Sequence, residues 1–145
     1  SDWRRLLEVN LTSAFLLAKA SHEALRARRG SLVLISSTNG LNGGSALSGP
    51  AYAVAKAGII NLARYLAKEW GGDGIRVNCV APGPVETPML ARLADSTVDS
   101  LRQSIPLGRI ASPEDVAASI AFFCSPQAAY MTGTVMNVSG GLVLD

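Results

Sequence analysis

Residues 75–88 read IRVNCVAPGPVETP. The first half, IRVNCVA (75–81), is a mostly apolar run of strand length. The second half, PGPVETP (82–88), holds three prolines, which cannot extend a ladder, so a rigid loop follows the strand. Two further strand-like runs lie on either side, SLVLIS (31–36) and TVMNVSGG (134–141). Between them the apolar spacing turns helical. Asp2 to about Arg28 carries the row Trp3, Leu7, Leu11, Ala14, Ala18 and Leu25, closed by Gly30. A second helix opens at Pro50, tolerated in a first turn, and stops after Trp70 at Gly71-Gly72. Residues 89–105 are weakly helical, and ASPEDVAASIAFFCS (111–125) has a clear start: Ser112 as N-cap, then Pro113, Glu114 and Asp115. Short strands separated by helices predict an α/β fold with a parallel sheet flanked by helices. Such sheets take ligands beyond the carboxyl ends of their strands. Those ends are the Gly-, Pro- and Ser-rich segments 36–49, 81–88 and 139–142.

Composition narrows the class. Of 145 residues, 48% are hydrophobic and 17% charged, enough apolar material for a core and far from disorder. No internal repeat or linker divides the chain, which reads as one domain, 1–145. A net charge of +2, with its tightest basic cluster (Arg26, Arg28, Arg29) at a helix end, argues against nucleic acid. Cys79 and Cys124 belong to no CxxC or His-Cys cluster, so no metal is expected. Both lie in apolar stretches and are expected as buried, reduced thiols of a cytoplasmic protein. The uncharged run from Gly30 to Ala55 is broken by Ser, Asn, Gly and Pro and does not predict a membrane span. No basic-then-apolar leader opens the sequence. His22, the one histidine, has no Ser or Asp at a triad-like spacing and is expected to be structural.

The candidate chemistry starts at GPAYAVAKAG (49–58). Lys56 is the sole charge between Arg29 and Arg64 and stands one helical turn after Tyr52. Ala55, Ile59, Leu62 and Leu66 define the predicted buried stripe of this helix, with Asn61, Arg64 and Lys68 opposite. Tyr52 and Lys56 fall on its flank, roughly 60° and 100° from the stripe centre. A free phenol has a pKa of about 10, and a nearby ammonium favours phenolate, as a general acid or base requires. A snorkelling lysine beside a semi-buried tyrosine is the plain alternative. Asn10 is a second oddity, an amide close to the apolar row of the first helix. It suits either a local bond to a backbone carbonyl or a polar anchor for water or a lysine. Ser36 and Ser37 end the first strand where the ligand-facing loop begins.

In order, Asn10, Ser37, Tyr52 and Lys56 resemble the active-site set of the short-chain dehydrogenase/reductase family. EVNLTSAF (8–15), VLISSTNG (33–40), AYAVAKAG (51–58), IRVNCVAPGPVETPM (75–89) and GRIASPEDVAASIAFFCSPQAAYMTGTVMNVSGG (108–141) are each similar to a family segment. The resemblance implies a Rossmann-like doubly wound parallel sheet and NAD- or NADP-dependent interconversion of an alcohol and a ketone, as in 3-oxoacyl-thioester reductases. It implies that Tyr52 passes the proton and that Lys56 tunes Tyr52 and bonds the nicotinamide ribose. Ser37 would hold the substrate oxygen, and Asn10 would anchor a water relay to Lys56. Pro82, Gly83, Val85 and Thr87 would form the loop around the nicotinamide amide. Family members pair through the two long helices, implying a homodimer or homotetramer, and the segment 89–107 would cover a small-molecule substrate.

Two departures accompany the resemblance. The family's TGxxxGxG loop and the NAG-type motif before Asn10 have no counterpart, so the sequence matches the carboxyl-terminal half, about three strands. The amino-terminal dinucleotide-binding half is expected to be absent, leaving the first strand as an unpaired edge. The alternative reading is therefore a truncated, inactive fragment serving as an oligomerisation or partner-binding module. The loop between Ser37 and Tyr52 is also about two residues longer than the common family spacing. The SxxG pattern at 37–40 favours Ser37 over Ser36.

Overall fold

In the computed structural model, which describes residues 2–88 and 90–144, the three apolar runs form one parallel sheet. Its strands are β1 (Ser31–Ile35), β2 (Arg76–Pro82) and β3 (Val135–Val138), with β2 central. Ser31 pairs with Arg76 through to Ile35 with Val80, and Cys79 pairs with Val135 through to Pro82 with Val138. A central parallel strand is covered on both faces, which is why β2 is nearly all apolar. Val77, Asn78, Cys79, Val80 and Ala81 are fully buried. The one amide among them is satisfied: Asn78 Nδ2 donates to Met131 O at 2.9 Å, and its Oδ1 accepts from Thr134 N at 3.0 Å.

Helices cover the two faces. On one side α4 (Pro50–Trp70) lays Ile59, Ile60, Ala63 and Leu66 against Val77 and Cys79. On the other, α6 (Pro113–Cys124) packs Phe123 against Val80, with Val116, Ile120 and Met136 beside them. Outside α4 runs a rod of α1 (Asp2–Leu7), a π-helical turn (Glu8–Thr12) and α2 (Ser13–Arg28). It presses close at Gly58, where a Cβ would stand 2.9 Å from Leu11 Cδ2. The short α3 (Thr38–Asn42) and α5 (Asp95–Ser104) complete the helices used below.

The expected α/β architecture with three parallel strands is what forms, with four local corrections. The segment after β1 is not all loop: Ser37 caps α3, a single turn too short to show periodicity. The first helix ends on Arg29 in the left-handed region (φ 48°, ψ 49°), one residue before the expected stop. Gly30 completes the stop, its N–H donating back to Leu25 O at 2.9 Å, and a Cβ there would meet Leu25 Cδ2 at 3.0 Å. Trp3 is 45% exposed although it belongs to the apolar row. Cys124 is exposed, because Phe123 takes the inward position at the end of α6, whereas Cys79 is buried as expected. Among the described residues no helix is long and apolar enough to cross a membrane.

Candidate active site

The site is built where β1 ends and α4 begins. Ser36 continues the ladder with its N–H donating to Val80 O at 2.8 Å, so β1 is still held to the sheet when the chain turns. The Ser36 hydroxyl then donates to Lys56 O at 2.7 Å, joining the strand end to the second turn of α4. Gly40 makes the same junction from α3. A Cβ there would lie 2.6 Å from Lys56 C and 2.8 Å from its carbonyl oxygen, so no larger residue fits. Ser36 and Gly40 thus pin the Lys56 backbone from two sides, with Ser37 between them in sequence.

Lys56 is partly buried and its Nζ donates to Ile35 O at 3.1 Å. It stands 5.5 Å from the centroid of the Tyr52 ring, within cation–π range. Burial pushes the Lys56 pKa below its ordinary 10.5, opposed by attraction toward Cys79. Lys56 is therefore no solubilising charge; those are Arg64 and Lys68, which lie exposed with Asn61 on the opposite face, as expected.

The two serines separate cleanly. The Ser36 hydroxyl is committed to Lys56 O. Ser37 Oγ, 8% exposed at the residue level, accepts from Asn39 N at 3.2 Å, and a hydroxyl that accepts can still donate. That geometry favours Ser37 as the group free to donate to a bound oxygen. Asn10 lies in the π-helical turn, and its Nδ2 donates to Leu6 O at 3.1 Å, the local bond considered above. The turn itself packs on α4, but Asn10 is not brought to Lys56 by a direct hydrogen bond. A π turn inside an α rod is itself a feature often found at functional sites, and no sequence periodicity discloses it.

The loop after β2 leaves the same carboxyl edge of the parallel sheet as Ser36 and Ser37. Pro82 pairs with Val138, Gly83 N donates to Val138 O at 3.0 Å, and a Cβ on Gly83 would meet Ser139 Cα at 3.1 Å. Val85 bridges Ala111 in parallel, and Thr87 is exposed. The expected covering segment starts at Met89, which lies outside the described residues. It continues as a 3-10 turn (Leu90–Arg92) and α5, which buries no residue. It docks through Ile105 and through Leu107 N donating to Gly140 O at 3.1 Å. His22 lies elsewhere, at the far end of α4, with Nε2 3.2 Å from Asp73 Oδ2. That aspartate, more than fifty residues away in sequence, could not be anticipated from spacing. Among the described residues no group of His, Cys, Asp and Glu is gathered as a metal site would require.

A parallel sheet whose carboxyl edge gathers a Tyr-x-x-x-Lys helix and a serine-bearing strand end is the arrangement of one class of oxidoreductase. The comparisons agree. A family model described as Enoyl-(Acyl carrier protein) reductase matches residues 1–143. The chain is 41% identical over 145 residues to human (3R)-3-hydroxyacyl-CoA dehydrogenase, covering 99% of this chain and 55% of that protein. It is 42% identical to a 3-oxoacyl-(acyl carrier protein) reductase of Aquifex aeolicus, covering 97% and 56%. A crystal structure of 3-oxoacyl-(acyl carrier protein) reductase from Brucella melitensis superposes with a TM-score of 0.91 at 33% identity, covering 99% and 54%. An oxidoreductase of the short-chain dehydrogenase/reductase family from Burkholderia thailandensis gives 0.87 at 40%, covering 97% and 55%. The chain belongs to the short-chain dehydrogenase/reductase family. It spans about half the length of the curated relatives it matches.

Proposed function

We propose that the protein is an NAD(P)-dependent oxidoreductase that interconverts an alcohol and a ketone, with a 3-oxoacyl thioester or a related carbonyl compound as substrate. The observation that carries this reading is the placement of Lys56. Its partly buried ammonium stands beside the Tyr52 ring, held by the Ile35 carbonyl and by a backbone clamped between Ser36 and Gly40. The relatives' names point to the same carbonyl chemistry rather than to the double bond of an enoyl substrate.

A nicotinamide nucleotide fits this donor set. An ammonium has three donors, and Ile35 O takes one, leaving others for ribose hydroxyls. When bound, the nicotinamide accepts or supplies a hydride. The chain's own residues handle the proton. Ser37 donates a hydrogen bond to the substrate oxygen, Tyr52 gives or takes the proton at that oxygen, and Lys56 holds a positive charge beside the Tyr52 ring. Pro82, Gly83, Val85 and Thr87 would hold the nicotinamide end of that cofactor. Asn10 keeps a supporting role from its π-helical turn. Phe15, Leu16 and Leu17 on α2 and Val54 and Tyr65 on α4 are exposed apolar residues, which supports pairing of copies through these two helices.

Replacing Tyr52 by Phe in the complete protein tests the reading. Turnover of a 3-oxoacyl thioester should fall by roughly 10²- to 10⁴-fold while circular dichroism stays unchanged. Retained turnover would overturn the assignment. Preference for a 2-enoyl thioester over the 3-oxo compound would replace carbonyl chemistry with double-bond reduction.

A further inference from the structure

The loop Pro82–Thr87 is fixed on one side by β3, and its other side leads to a pair of charged residues that the proposed chemistry does not use. Val85 bridges Ala111, Glu86 N donates to Ala111 O at 2.8 Å, and Ala111 N donates to Pro84 O at 3.2 Å. Two backbone groups of the loop, Pro84 O and Glu86 N, therefore depend on the conformation of one alanine outside any strand. Ala111 is bracketed in turn. The next residue, Ser112, is the N-cap of α6 and shares a full capping box with Asp115. Ser112 N donates to Asp115 Oδ2 at 2.8 Å, and Asp115 N donates to Ser112 Oγ at 3.3 Å. Two residues before Ala111, Arg109 closes the ring. Its Nη1 donates to Asp115 Oδ2 at 2.5 Å and its Nη2 to Asp115 Oδ1 at 2.9 Å, a two-point guanidinium–carboxylate pair. Arg109 Nη1 also reaches Ile110 O at 3.4 Å.

We propose that Arg109 and Asp115 are positioning residues for the Pro82–Thr87 segment. Their paired side chains and the α6 cap hold Ala111 in the extended conformation that the loop needs as its partner. The forked geometry matters, because a guanidinium grips both carboxylate oxygens while a lysine offers a point charge. The functional part of this inference rests on the reading that the segment borders the nicotinamide.

Amide hydrogen exchange and steady-state kinetics on the complete protein test it, with Arg109→Met and Arg109→Lys as variants. Arg109 is more than half exposed, so neither change should threaten the core. Exchange at the Glu86 and Ala111 amides should quicken by roughly three- to tenfold in Arg109→Met, with Cys79 and Ile120 unaffected. The KM for NAD(P)H should rise by a similar factor with a smaller change in kcat, and Arg109→Lys should recover part of both effects. Unchanged exchange at Glu86 and Ala111 would overturn the positioning role. Faster exchange with an unchanged cofactor KM would instead overturn the reading of the segment as the nicotinamide border.

Discussion

The two ends of α4 both gather aromatic and ionisable side chains, and they use them in opposite ways. At the carboxyl end, His22 packs against Trp70 with ring centroids 4.8 Å apart. Its nitrogens face Asp73 at 3.2 Å and Glu23 at 3.4 Å. Arg26 reaches the same two carboxylates, at 3.4 Å and 3.7 Å. Arg26 gives each carboxylate in that cluster a cationic neighbour. At the amino end, among the described residues, Lys56 has no carboxylate within ion-pair distance. A carbonyl dipole and a phenol ring are its neighbours. Paired charges at a rim are a minor contribution to stability. A partly buried ammonium without a counter-ion is costly, and such costs concentrate where a ligand will use them.

The largest effect that would break this contrast comes from exchanging the roles of the two ends. Lys56→Met should lower turnover by about 10²-fold or more without loss of folded structure, because it removes the group beside Tyr52. His22→Gln should leave turnover unchanged and cost about 1 kcal/mol of stability, the combined loss of a ring contact and an exposed pair. Assay of both variants beside their urea midpoints decides the matter. A turnover defect in His22→Gln would refute the division.

A smaller pair of substitutions sharpens the same contrast through the backbone. A Cβ on Gly40 would collide with the carbonyl carbon and oxygen of Lys56, which are backbone atoms and cannot swing away. Gly40→Ala should therefore cost roughly 1–3 kcal/mol and also reduce kcat, since α3 carries Ser37 at its cap. Gly74, in the turn beyond Trp70, has φ +77° and faces the Arg29 guanidinium. That side chain can move, so Gly74→Ala pays mainly for the left-handed backbone, about 1–2 kcal/mol, with kcat intact. Equal kcat losses in the two variants would mean that the ends are coupled.

How much of this could be read from the sequence differs between the ends for a physical reason. Strand and helix limits follow from periodicity and from proline and glycine: SLVLIS gave Ser31–Ile35 and Pro50 to Trp70 matched fully, whereas the last strand stops at Val138, short of the expected Gly141, and α5 begins only at Asp95. Tyr52 and Lys56 were legible because they share one helix face. The approach of Ser36 and Gly40 to Lys56 was not, because it depends on how α3 packs on α4. The Asp73 partner of His22 was hidden for the same reason. The exposure of Cys124 turned on which of two adjacent residues, Phe123 or Cys124, faced the sheet. The Arg109–Asp115 pair was half visible: Ser112-x-x-Asp115 is a readable cap, but its connection to Val85 crosses from one loop to another.

The finest test of the amino end is its alkaline titration, where two neighbours should pull stability in opposite directions. Burial pushes the Lys56 pKa below the 10.5 it takes in the unfolded chain. Between those values the unfolded chain holds more protons than the folded one, so this group makes stability rise with pH. Burial also pushes the Cys79 thiol up from 9.0 to about 11, although a bond from Ser36 and the charge of Lys56 oppose the shift. Its contribution is fully present below 9.0 and is lost as pH rises through about 11. Urea midpoints of the native sequence, Lys56→Met and Cys79→Ala, measured across this range, separate the two. Relative to Lys56→Met the native protein should gain stability as pH approaches 10.5, and relative to Cys79→Ala it should lose stability above 9.0. Slopes of the same sign would show that Lys56 is solvated after all, and the contrast between the two ends of α4 would lose its physical basis. Opposite slopes, each strengthened when the other residue is also replaced, would place the ammonium and the thiol in one poorly solvated environment, because each charge opposes the other's burial shift.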